Sequence, residues 1–104
     1  MSSIYTEILK YVIENPEVSA QVVLDADVFN SINKDYGKIW ATIKSLPNKS
    51  TTVITPALLE SYGVGETALK TVLDTKLPKN GINIIDHAKQ IRSLYAVQEL
   101  NKLN

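Results

Sequence analysis

The chain has 104 residues, of which 44% are hydrophobic, and its 11 basic residues balance 11 acidic ones. This composition is typical of one globular domain, and it excludes a strong net charge that would attract nucleic acid or an acidic membrane. The chain has no cysteine, which excludes disulfides and thiolate metal sites. No apolar run approaches the roughly 20 residues that span a bilayer, so we expect a cytoplasmic protein.

Hydrophobic periodicity predicts an all-α chain of six helices. The first helix spans residues 3–15, and Asn15-Pro16 then starts a short second helix, because Asn is a favoured cap and Pro fits a first turn. We expect the second helix to turn three side chains inward, those of Val18, Val22 and Val23. Residues 24–29 are predicted to form a turn-rich connector that buries Val28 and Phe29.

The third predicted helix covers residues 33–46 and carries Trp40, which we assign to the core because a large indole is seldom fully exposed. Thr55-Pro56 supplies a cap and a first-turn proline for the fourth helix, which ends at Gly63. Its predicted buried side chains are Leu58, Leu59 and Tyr62. The fifth helix is expected to span Glu66 to Leu77, and a turn over residues 77–81 follows it.

The sixth predicted helix begins near Asn83 and carries two apolar stripes. One stripe consists of Ile84, Ala88, Ile91 and Tyr95, and the other of Leu94, Val97 and Leu100. The first can pack on the fifth helix, whereas the second needs another partner, either the rest of the domain or a second chain. Apolar Leu103 and the lack of a closing Gly or Pro leave this helix unsealed, which suggests that the native protein continues or that another chain covers this surface.

The sequence offers no set of residues that predicts catalysis, a metal site or a cofactor site. His87 is the only histidine, and its neighbour Asp86 points about 100° away on a helix, so the two do not chelate together. The segment Gly65–Thr71 superficially resembles a phosphate-binding loop, but Leu69 stands where that loop needs a second Gly before the Lys. We therefore expect that this chain alone is not an enzyme and binds no cofactor or metal.

A helix-turn-helix DNA-binding motif is an alternative for residues 55–73, in which two helices flank Gly63-Val64. The second helix would be the recognition helix, and its outward residues would be Glu66, Thr67, Lys70, Thr71 and Asp74. Two acids against one Lys disfavour contact with phosphates, and the segment has no Arg. Two packed helices with a Gly corner are the favoured interpretation.

The order of these features resembles the N-terminal domain of DnaB-type replicative DNA helicases, particularly the diverged phage members. The similarity runs through a first helix with a polar break, an acidic connector with an aromatic residue, and a helix with early aromatics. A Thr/Leu-rich helix, a Gly-led helix and a final helix follow. The segments that carry the resemblance are ILKYVIENPE, LDADVF, NKDYGKIWATIKSL, VITPALLESYG, GETALKTVLDTKL and NIIDHAKQIRSLYAVQELNKL.

The resemblance implies a compact head of about four helices over residues 1–64, followed by a protruding two-helix hairpin over residues 65–104, within one structural domain. It also implies self-association as dimers and as a trimer of dimers in a hexamer, contact with a primase or helicase loader, and only indirect contact with DNA. ATP and Mg²⁺ are expected only in an ATPase domain downstream. The location implied is the cytoplasm of a bacterium or a phage-infected host.

The leading hypothesis is a non-catalytic assembly domain, the collar of a hexameric replicative DNA helicase. The expected hairpin seam joins Leu69, Val72, Leu73 and Leu77 to Ile84, Ala88, Ile91 and Tyr95, and the expected self-association face is formed by Leu94, Val97 and Leu100. Two alternatives stay open. One is a freestanding adaptor or inhibitor that binds a helicase or primase, and the other is a small helix-turn-helix DNA-binding protein.

Overall fold

The structure, a computed structural model, describes residues 3–49 and 51–102. Most of the described residues are helical and none forms a strand, so the predicted all-α class is confirmed. Leu103, which the sequence assigns to the apolar surface of the last helix, lies outside the described residues. In chain order the helices are α1 (Ile4–Glu14), a 3₁₀ helix (Pro16–Gln21), α2 (Ala26–Asn30), α3 (Lys34–Ser45), α4 (Pro56–Ser61), α5 (Glu66–Leu73) and α6 (Ile84–Lys102).

Four of the α-helices begin where a polar side chain caps the free N–H groups of the first turn. In each case the side-chain oxygen accepts a hydrogen bond from a backbone N–H over 2.9–3.2 Å. Such a cap contributes about 1 kcal/mol to a helix, because the first N–H groups have no partner within the helix itself. The capping residues are Ser3, Asn33, Thr55 and Asn83.

Helix α1 is the centre of the fold, because α3, α5, α6 and the 3₁₀ helix all pack against it. Ile8, Leu9 and Val12 of α1 are fully buried. Beside them, Trp40 stacks on Phe29 with ring centroids 5.1 Å apart, and its Nε1–H donates to the backbone oxygen of Leu24 over 2.8 Å. The predicted core position of Trp40 is confirmed.

The connector predicted over residues 24–29 contains the short helix α2, whose end meets α3 closely. Val28 and Phe29 are buried, as expected. A side chain on Gly37 of α3 would overlap the side chain of Asn30, so Gly allows the two helices to touch. A five-residue helix is too short to be stable alone. Its stability comes from this packing, which a local sequence pattern does not reveal.

Two side chains that were expected to be buried are exposed. Val23 is 86% exposed because Val22 leaves the 3₁₀ helix in an extended conformation. Successive side chains then point to opposite sides, so Val22 and Leu24 are buried while Val23 faces outward. Tyr62 is 57% exposed because α4 ends one residue before it.

Helix α5 ends at Leu73, four residues earlier than predicted. The Nζ of Lys10 donates to the backbone oxygen of Leu73 over 2.8 Å, and this bond occupies a carbonyl that a longer helix would use. Pro78 also disfavours a helical conformation at Leu77. The last four residues of the predicted helix are therefore irregular.

The predicted head over residues 1–64 and protruding hairpin over residues 65–104 are not confirmed. The main packing partners of α6 are α1, α2 and the 3₁₀ helix, whereas those of α5 are α1 and α3. Both helices therefore bury their apolar faces against the same central helix instead of forming a separate two-helix unit. Their buried residues belong to one continuous core.

Candidate protein-association surface

The inner face of α6 fixes how this helix lies on the fold. Ile84, Ala88 and Ile91 are buried to 5% exposure or less, and Tyr95 is partly buried against the same core. The Nε2 of His87 lies 3.3 Å from a carboxylate oxygen of Glu7, so a polar contact also joins the start of α6 to α1. Beyond Tyr95, α6 has no buried residue within the described part of the chain.

The outer face of α6 carries the three residues predicted for self-association, which we name the outer stripe: Leu94, Val97 and Leu100. Their side chains are 46%, 55% and 62% exposed. Successive residues of an α-helix turn by about 100°, so the centre of the outer stripe lies about 150° from the inner face. The outer stripe therefore cannot be covered by the core on which α6 rests.

Most of the side chains that flank the outer stripe are polar but uncharged, and they are Gln90, Ser93, Gln98 and Asn101. One charged side chain, that of Lys89, lies beside Leu94 at the start of the stripe. Interface cores between proteins are depleted in charged residues, whereas a solvated helix face usually carries them. An apolar stripe with a mostly uncharged border has the composition of a contact surface.

The other predicted partner-binding residues lie in or beside the core. Leu69, Val72, Ile84 and Ile91 are buried to 5% exposure or less. Leu73, Leu77 and Tyr95 are partly buried. A second chain cannot reach the four buried side chains while this fold is intact, so the accessible part of the predicted set is the outer stripe and the three partly buried residues.

A groove that the sequence reasoning missed lies between the start of α2 and the middle of α6, with a volume of about 430 Å³. One wall consists of Val23, Leu24 and Val28, and the other of Arg92, Tyr95 and Ala96. Arg92 donates to the backbone oxygen of Val23 over 3.2 Å and bridges the two walls. The signal that could have pointed to this groove is the run Val22-Val23-Leu24, since the middle side chain of an extended run points away from the other two.

Negative charges lie beside the same groove. Burial raises the pKa of the Tyr95 hydroxyl, and the carboxylates of Glu99 and Asp27 raise it further. The Tyr95 hydroxyl therefore lies among acidic groups at the edge of the groove.

The segment Gly65–Thr71 lies at the start of α5, as its helix-forming residues suggest. The N–H of Gly65 donates to a carboxylate oxygen of Asp35 over 3.0 Å, and the N–H of Leu69 bonds within the helix. Two of the backbone N–H groups of this segment are therefore used inside the protein.

Metal-binding clusters and membrane-spanning helices are both absent from the part of the chain that the structure describes. Residues 3–49 and 51–102 contain no group of three or more His, Cys, Asp and Glu side chains placed to hold a metal ion. Over the same residues, no helix is long and apolar enough to cross a membrane.

Comparison with known proteins adds no relative. No family model, no curated protein sequence and no solved structure matches the chain.

Proposed function

We propose that this chain is a non-catalytic association domain that binds a second copy of itself through the outer stripe of α6. The observation that carries the proposal is the exposure of Leu94, Val97 and Leu100 on the side of α6 away from the core. Apolar side chains in such a contiguous arrangement mark interaction sites on soluble proteins.

The expected strength of this contact follows from the exposed area. Full burial of a Leu or Val side chain contributes about 1.5–3 kcal/mol, and these three are already about half covered, so each gains about 1 kcal/mol. Three residues on each of two copies then contribute about 6 kcal/mol, whereas association costs about 4–15 kcal/mol of lost translational and rotational freedom. The outer stripe alone therefore supports weak, concentration-dependent association.

The biological setting that we propose is the assembly of a hexameric replicative DNA helicase, with a primase or helicase loader as a further partner. This part of the proposal rests on the sequence resemblance to the N-terminal domain of DnaB-type helicases. The protruding hairpin that the resemblance implies is not confirmed. The support for the helicase setting is therefore the order of the helices and the exposed outer stripe.

The association surface is tested by replacing both Leu94 and Val97 with Glu, hereafter the stripe variant. A charge buried in an apolar contact without a partner costs several kcal/mol, so we expect the average mass in sedimentation equilibrium to fall towards that of one chain. The matched control places two Glu residues on exposed positions of other helices, Ala41→Glu with Thr67→Glu, and should leave the mass unchanged. Equal association of the parent and the stripe variant would reject the outer stripe.

The helicase setting is tested in two ways. The reading frame beyond Asn104 in the source nucleic acid should continue into a phosphate-binding loop with Gly-Lys-Thr or Gly-Lys-Ser. A stop at Asn104 would remove the collar assignment and favour a freestanding adaptor. A pull-down of purified full-length helicase by the tagged chain would then decide whether it binds that enzyme in trans.

The charge of the exposed face of α5 decides how well the DNA-binding alternative fits the structure. Four residues exposed on α5 and one directly after it meet the requirement of a recognition helix: Glu66, Thr67, Lys70, Thr71 and Asp74. Their two acids and one Lys give this face a negative balance, which opposes contact with phosphates. Salt-sensitive binding of the chain to a duplex would revive this alternative.

A further inference from the structure

The groove between α2 and α6 has an exposed apolar side chain fixed at its edge. Val23 is 86% exposed, and the hydrogen bond from Arg92 to its backbone oxygen holds it in place. A second apolar depression, formed with Val22 and Ile85, lies on the other side of Val23, and Ile85 is 48% exposed. Val23 is therefore a protruding side chain beside an apolar groove of about 430 Å³.

The two charged residues of the groove are opposite in sign. Arg92 lies on the α6 wall and Asp25 lies at the start of α2, so the groove has one charge of each sign. Both residues belong to the described part of the chain, and no ion pair joins them within one copy. In a twofold contact residue i meets residue j and j meets i, so a contact that pairs Arg92 with Asp25 forms that pair twice.

We propose that this groove is a second self-association surface, in which Val23 of one copy enters the groove of another and Arg92 pairs with Asp25 across the contact. The occupant is a second copy because the surface carries its own complement: an apolar protrusion beside an apolar groove, and one charge of each sign. The hydrogen bond from Arg92 favours one position of the loop before association, which lowers the cost of ordering it.

The groove and the outer stripe are different surfaces of α6. The groove residues Arg92 and Ala96 lie about 120° around the helix from the centre of the stripe. A single twofold surface closes an assembly at two copies, whereas two distinct surfaces link more than two. This consequence for the size of the assembly rests on the proposed function of the outer stripe, but the groove contact itself does not.

The test reverses each charge separately in the stripe variant, so that association through the outer stripe does not contribute. Arg92→Asp places Asp opposite Asp25 of the other copy, and Asp25→Arg places Arg opposite Arg92. Like charges at close range cost enough to weaken the contact at least about tenfold. Asp25 makes no side-chain capping bond to α2, so its replacement removes no helix cap. Lys89→Asp, an equal charge change outside the groove, is the control and should leave association unchanged.

The mixture of the two single variants distinguishes a twofold contact from an ion pair within one copy. One copy with Arg92→Asp and one with Asp25→Arg would form two complementary pairs, so the mixture should associate more tightly in sedimentation than either variant does alone. Recovery should be incomplete, because the copy with Arg92→Asp still lacks the hydrogen bond to Val23. An ion pair within one copy could not be restored in this way. Far-ultraviolet circular dichroism and urea unfolding of each variant check that the fold is retained.

Three results would overturn the groove proposal. The first is that the stripe variant is a single chain at every concentration at which the parent associates. The second is that Lys89→Asp weakens association as much as the groove variants do. The third is that a mixture of the two groove variants associates no more tightly than either variant alone. Each differs from the failure of the proposed function, which is unchanged association of the stripe variant. If that occurs and the groove variants still weaken association, the groove stands and the outer stripe does not.

Discussion

Which face of α6 is buried can be tested by shortening one side chain on each of its two opposite faces. Ile91 is fully buried, whereas Leu94 is 46% exposed. Ile91→Ala takes carbons out of the core at about 0.8 kcal/mol each, and the cavity left behind adds to the cost, so we expect a loss of about 3–4 kcal/mol in the free energy of unfolding. Leu94→Ala in a single chain should cost less than about 1 kcal/mol, because the site is open to solvent and Ala has a higher helix propensity.

The assay is urea unfolding followed by circular dichroism at several protein concentrations. The effect of Ile91→Ala should not depend on concentration, since it arises within one chain. The effect of Leu94→Ala should grow with concentration, since a contact between copies stabilises the folded state by mass action. If Leu94→Ala costs as much as Ile91→Ala in dilute solution, the reasoning is refuted, because the outer stripe would then be part of the core.

Two further predictions concern the aromatic core. Trp40→Phe leaves the buried backbone oxygen of Leu24 without its hydrogen-bond donor. The free energy of unfolding should fall by about 1–3 kcal/mol for this reason, in addition to the effect of the lost side-chain volume. A fall of less than about 1 kcal/mol in the urea assay would contradict the hydrogen bond. Burial raises the pKa of Tyr5, so the folded chain keeps this proton when the unfolded chain loses it. The free energy of unfolding should therefore fall as the pH rises above the ordinary value of 10.0, and Tyr5→Phe should reduce that fall. An unchanged alkaline fall in Tyr5→Phe would show that another group causes it.

Much of the local structure could be predicted from the sequence because the signals are themselves local. Caps at Ser3, Asn33, Thr55 and Asn83 act within one turn, so the helix starts agree closely with the predicted ones. The 3.6-residue period identified the two faces of α6, and the structure buries one and exposes the other. Such patterns depend only on which residues share a face.

The choice of packing partner could not be predicted in the same way. Ile84, Ala88 and Ile91 would be buried equally well against α5 in a hairpin or against α1 in a globule, so their pattern does not separate the two folds. The structure places them against the central core that α1 organises. The early end of α5 also depends on a distant residue, since Lys10 lies far from Leu73 in sequence.

The groove escaped prediction for a related reason. The sequence shows Arg92 only as a charged residue on a long helix. The chain before α2, which packs against Arg92 in the structure, is distant in sequence. The significance of Arg92 comes from the hydrogen bond to Val23, and no sequence spacing links two residues so far apart.

Sedimentation equilibrium of the parent chain beside the stripe variant tests the central claim most directly. The account predicts that the average mass of the parent rises above the 11.5 kDa of one chain as concentration increases, and that replacing both Leu94 and Val97 with Glu lowers it. A parent that remains at 11.5 kDa at every concentration, or a stripe variant that associates as strongly as the parent, would contradict the account.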